Sequence, residues 1–247
     1  MFGTAHILYI VISLLVAVGS LIGLSFIKNE KYKKLTMILI AAVTYLLHIS
    51  IVVVDSVNAG HLVVDVGLIV PVHFCNLCRY LLWIVPFVKN KSGWFFQCVA
   101  CLLAFGGTIG CLSTIIYADS LVADPLMLEW ATWKSLLSHS VMLIGCLYMF
   151  VGKYVKIRVM NAVHLAIGGG VTAVLGLVIN SFYVAFGQPN PNSMYWVQPL
   201  ADVPGLIAPT ILAVATLLVF GIGAIYEWIK VPKGERWYDK LKRHKQE

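Results

Sequence analysis

Apolar residues run almost unbroken through seven stretches of the chain, roughly 5–27, 35–57, 66–88, 93–117, 133–152, 159–186 and 205–229. Each is near or above the ~20 residues that a helix needs to cross ~30 Å of hydrocarbon. A backbone in lipid must satisfy its own hydrogen bonds, so these runs predict helices. The predicted fold class is an all-α seven-transmembrane helix bundle over residues 1–229, followed by a basic tail at 230–247. The first run has no basic segment before it and no small-residue cleavage site after it, which marks it as an uncleaved first span.

Charge orients the bundle. Lys28, Lys31, Lys33 and Lys34 follow the first run, Lys89 and Lys91 the third, and Lys153, Lys156 and Arg158 the fifth. Lys230, Lys233, Arg236, Lys240, Lys242, Arg243 and Lys245 follow the seventh. The alternate gaps hold Asp55, Asp65, Asp119, Asp124, Glu129 and Asp202, with Lys134 as their only basic residue. The positive-inside rule then places the N-terminus outside and the C-terminus in the cytoplasm of a multi-pass cell-membrane protein. With 247 residues, 60% hydrophobic and 12% charged, the chain has no material for a separate soluble domain. Its net charge of +7 is spread over the inner loops and tail, where anionic lipid headgroups are the expected partner and nucleic acid is not. Trp237, Tyr238 and Leu241 are spaced to lie on the inner interface.

Polar residues inside hydrocarbon are costly unless paired or useful, and here they recur at one depth. His48, His73, His139 and Asn180 each lie about six or seven residues from the outer end of their runs, ~9 to 11 Å below the outer surface at ~1.5 Å per residue. Tyr45, His48, Val52 and Asp55 share one helical stripe, and Ser135, His139, Met142 and Cys146 another. On the third run His73, Cys75, Asn76, Arg79 and Tyr80 fill an arc of roughly 160°, with His73 and Cys75 at its two edges unless Pro71 distorts the helix start. Arg79 lies too near the midplane for easy snorkelling. A shared outward-facing pocket follows, although each residue taken alone also fits a structural role between helices. Ser113 and Thr114 fit bonds to their own backbone. The glycines at 106, 107 and 110, and those at 168–170 and 176, fit close contact or bending.

The six cysteines, at 75, 78, 98, 101, 111 and 146, all fall in apolar runs. Cys75/Cys78 and Cys98/Cys101 form two C-x-x-C pairs, but their predicted depths differ, so they cannot furnish one tetrahedral zinc site, and neither a metal nor another cofactor is expected. A dithiol redox couple has no loop cysteine to relay electrons. A nucleophilic reading needs a thiol, a base and an oxyanion donor at one depth. Cys75 with His139 fits it, with Asn76 or Asn180 as donor and Arg79 as a phosphate holder.

The run Val70-Pro71-Val72-His73-Phe74-Cys75-Asn76, the glycine pair at 106 and 107, Ser138-His139-Ser140 and Asn192-Ser193-Met194-Tyr195 resemble, in order and spacing, the bacterial YwaF-type membrane protein family. That family is in turn similar to an animal multi-span cysteine acyltransferase that remodels ether phospholipids. The resemblance implies an acyl-accepting cysteine at Cys75 and a partner histidine at His139. The animal pattern has Asn-Pro before the cysteine and His after it, where this chain has His73-Phe74 and Asn76. The resulting expectation is acyl transfer or hydrolysis on membrane phospholipids, with Arg79 or His73 near the headgroup and His48 lining the pocket. The alternative is a ligand-binding protein or small-solute transporter in which these residues merely line a cavity, and no inverted repeat supports transport. A retinal protein is set aside because the seventh run has no lysine between Gly205 and Trp228.

Overall fold

A computed structural model describes residues 3–64, 69–118, 120–121, 124, 126–187, 192–195 and 207–239. All regular structure among them is helical: α1 (Thr4–Ser25), α2 (Glu30–Ala59), α3 (Phe74–Ile84), α4 (Trp94–Cys101), α5 (Thr108–Ile116), α6 (Trp130–Val151), α7 (Met160–Ala185) and α8 (Ala208–Lys230). A π-helical segment, Leu102–Gly107, joins α4 to α5 into one stretch, Trp94–Ile116. That stretch and α1, α2, α6, α7 and α8 make six helices long and apolar enough to cross a membrane. Their outer surfaces suit lipid. In α1 only His6, Ser13 and Ala17 are buried, while Leu15 is 66% and Ile22 58% exposed; such a helix is stable only in an apolar solvent.

The third predicted span differs from its expected form. Its longest helix among the described residues is α3, 11 residues long, spanning ~16 Å. Pro71 biases Val70 away from helical geometry, and Pro86 cannot donate the backbone bond that would extend the helix, so the chain leaves α3 through a 3₁₀ turn at Val85–Phe87. His73 is the extended N-cap, at φ −104° and ψ 150°. The helical arc expected for His73 therefore does not apply to it, and the distortion at Pro71 is real.

The chain forms two compact units, residues 1–89 with 107–154, and residues 90–106 with 155–247. In the first, α6 packs on α1, α2 and α5, and α3 packs on α2, α5 and α6. Its buried residues include Met37, Ala41, Leu82, Leu143 and Met149. Asn29 caps α2 through its side chain to the Lys31 amide at 2.9 Å, and Gly60 closes the helix at φ 72°, where a Cβ would be strained. Hydroxyls tie α1 to α6: Tyr9 donates to the Leu136 carbonyl at 3.1 Å, and Ser140 donates to Ser13 at 3.1 Å. Thr114 bonds its own backbone at the Gly110 carbonyl, 3.0 Å away, as expected of it.

In the second unit α7 packs on α4 and α8. The glycines at 168 and 169 are contact points within the continuous helix α7. A Cβ on Gly168 would lie 3.0 Å from the Cys98 carbonyl oxygen, and one on Gly169 would lie 2.2 Å from Leu212. The segment after α8 folds back onto that helix: Trp237 packs edge-on against Phe220 at 5.6 Å and donates its amide to Glu227 at 2.8 Å. Asp65, Asp119, Asp202, Leu241 and the basic residues from Lys240 onward lie outside the described residues.

Candidate functional site

The polar residues of α3 descend in order of burial. His73 is exposed, Cys75 is half-buried, and Asn76 and Arg79 are buried, Arg79 to 3% exposure. Cys75 and Arg79 are four residues apart and Asn76 and Arg79 three, so the helix stacks them on one side. Arg79 Nη1 donates to Asn76 Oδ1, and Cys75 Sγ lies 3.9 Å from that same oxygen. Arg79 Nη2 donates across to Ser138 Oγ on α6 at 3.3 Å. The fork is therefore held from both helices.

On α6 the Ser135 carbonyl organises the next two polar residues. It accepts the Ser138 hydroxyl at 3.1 Å and His139 Nδ1 at 2.7 Å. A carbonyl only accepts, so Nδ1 carries the proton in this bond and Nε2 is left with the lone pair. Arg79 is an electrostatic neighbour of His73, Cys75 and His139, and His48, buried on α2, is a neighbour of His139. The first unit thus gathers Cys75, Asn76 and His139 about the Arg79 guanidinium, with His48 beside His139 and His73 at the exposed end.

Asn180 belongs to the second unit. Its Oδ1 accepts the Ser193 amide at 2.7 Å, which gives it a structural task that its depth in the sequence does not reveal. Cys98 and Cys101 also belong to that unit, and Cys75 and Cys78 to the first. Cys78 is fully buried beside Cys146: a Cβ on Gly107 would lie 2.6 Å from Cys146 Sγ and 3.5 Å from Cys78 Sγ. Cys111 is a neighbour of Cys75, Cys78 and Cys146. Among the described residues no three His, Cys, Asp or Glu side chains are grouped to hold a metal ion.

Ser138 and the Ser135 carbonyl are the contributors that sequence reasoning missed as site elements. Their signal is the spacing Ser135-x-x-Ser138-His139, which sets a hydroxyl and an imidazole over one carbonyl a helical turn back.

Several long apolar helices, enclosing polar groups between them, define a multi-pass helical membrane protein. Residues 1–226 match the sequence model of the TMEM164 family, and the chain belongs to that family. No curated protein and no solved structure matches it.

Proposed function

We propose that this protein transfers fatty acyl groups between glycerolipids, with Cys75 as nucleophile and His139 as base. The single observation that supports this best is the tautomer of His139: its Nδ1 is bonded to the Ser135 carbonyl, so Nε2 is the basic atom, beside a guanidinium that also neighbours Cys75. In the reaction Nε2 takes the Cys75 proton and the thiolate attacks the ester carbonyl of a phospholipid. The C–O bond breaks, the lysophospholipid leaves with the proton from His139, and a thioester remains. The hydroxyl of a second lysolipid then gives its proton to His139 and attacks the thioester, and the Cys75 sulfur leaves and is reprotonated. Water in place of that hydroxyl makes the reaction a hydrolysis.

The charge pattern of the loops supports a seven-span arrangement in the cell membrane with the N-terminus outside. In that arrangement Cys75 lies in the outer half, away from cytosolic acyl-CoA, and the donor is another phospholipid. The basic inner loops and tail then rest on anionic headgroups.

The test is intact-protein mass after incubation of purified protein with labelled phospholipid. Wild type gains one acyl mass that hydroxylamine removes, and Cys75→Ala gains none. Wild type with neither adduct nor lipid turnover leaves only a binding or transport role for these residues. Turnover supported solely by acyl-CoA sinks the outer placement.

A further inference from the structure

We infer that Arg79 is the binding centre for the phosphate of a lipid headgroup, which deepens the acyl-transfer reading and rests on it for the position of the lipid ester. Arg79 is 3% exposed and, among the described residues, its charge meets no carboxylate. Its partners are the neutral Asn76 oxygen and the neutral Ser138 hydroxyl, and its Nε is buried without an acceptor. A guanidinium cannot discharge itself by losing a proton, and a buried cation satisfied only by neutral dipoles is strongly disfavoured. The arrangement is therefore incomplete, and the missing component is an anion.

The geometry restricts which anion. Asn76 and Ser138 each take one of the two terminal nitrogens and fix the plane of the fork, leaving the Nε–H unused; a phosphate offers oxygens to Nε–H and to the second hydrogens of the terminal nitrogens. His73, exposed at the open end of α3, is a further electrostatic neighbour of Arg79. Cys75 sits between His73 and Arg79 along the helix and is half-buried. An occupant that reaches Arg79 therefore passes the nucleophile, which suits a chain whose ester carbonyl lies a few bonds from its phosphate. Ser138 is a positioning residue for this site: it orients the guanidinium.

Binding is measured on Cys75→Ala protein in maltoside micelles, so that no chemistry intervenes, with three probes: lysophosphatidylcholine, monoacylglycerol of the same chain, and inorganic phosphate. The expected result is that lysophosphatidylcholine binds at least tenfold tighter than monoacylglycerol, and that Arg79→Gln removes the difference while monoacylglycerol binding stays within about twofold. Ser138→Ala, which keeps the charge, reduces the preference partly. Inorganic phosphate that binds alone and needs Arg79 supports the anion site with free phosphate as its source; phosphate that does not bind, with the lipid preference intact, assigns the source to the headgroup. Equal affinity for the two lipids together with no phosphate binding overturns the inference without an Arg79 variant having to fold. That outcome is distinct from failure of acyl transfer, which is read on wild type as a missing thioester.

Discussion

His139 commits one nitrogen to the Ser135 carbonyl, the proposed reaction uses the other, and the two can be separated by substitution. Asparagine at this position reproduces the Nδ1 donor to the Ser135 carbonyl, 2.7 Å away, but has nothing at Nε2. His139→Asn is expected to leave the unfolding midpoint of the micellar protein nearly unchanged, while the rate of thioester formation falls about 10²- to 10⁴-fold, the usual loss for a general base. A large fall in stability with retained rate contradicts the assigned tautomer. Asp124, outside the apolar helices, offers a residue-level prediction in pH. The Glu129 amide, at 2.9 Å, and then the Leu128 amide, at 3.1 Å, hold its carboxyl below the ordinary range. A depressed carboxyl contributes order that is complete above its unfolded value of about 3.9 and is lost as pH falls through the lower folded value. Amide exchange at Leu128 and Glu129 should therefore be protected and flat above about pH 4, with protection declining below it. Asp124→Asn should weaken that protection above about pH 4 and remove its decline below.

At the scale of elements, Gly107 sets how closely the start of α5 approaches α6. A Cβ there meets Cys146 Sγ at 2.6 Å but Cys146 Cβ only at 3.7 Å, so the clash is with one sulfur atom. Gly107→Ala is expected to destabilise the protein by about 1–3 kcal/mol, the usual cost of overpacking. Cys146→Ala should return most of that in the double variant, read as a coupling energy in a thermal or denaturant cycle. A Gly107→Ala protein as stable as wild type shows that the helices yield there. This contact was half legible. The paired glycines signal close packing, but the identity of the atom across from them depends on how α6 is rotated, and no local pattern fixes that. The same holds for Arg79. Its place deep in an apolar run follows from counting residues, and Asn76 is one helical turn away, whereas Ser138 lies 59 positions along the chain and is selected only by packing. Asn180 is a further case: depth groups it with the site residues in the sequence, and the contact of its oxygen with the Ser193 amide, within the second unit, is set by the fold alone.

At the scale of the whole molecule, the number of crossings decides which side the chemistry faces, and it turns on the third apolar run. The six long helices cross by length and composition, while α3 has only 11 residues and reaches ~16 Å. It completes a crossing only if residues on either side of it contribute depth. The proposed seven-span arrangement has it do so, on the strength of loop charge. If this run fails to cross, every segment after it changes side, and the basic residues Lys153, Lys156 and Arg158 end opposite Lys28, Lys31, Lys33 and Lys34, against the positive-inside rule. Lys31 and Leu126 are both exposed, Leu126 at 78%. Between them lie α2, the third run and the Trp94–Ile116 stretch, so three crossings put them on opposite faces and two put them on the same face. With Lys31→Cys and Leu126→Cys variants, a membrane-impermeant maleimide applied to intact cells should label position 126 alone, and position 31 only after permeabilisation. Labelling of neither before permeabilisation, or of both, means that the third run turns back. Label at 31 alone reverses the protein and brings Cys75 toward the cytoplasmic half, where acyl-CoA becomes the accessible donor. The direction of labelling thus fixes the donor pool before any lipid is assayed.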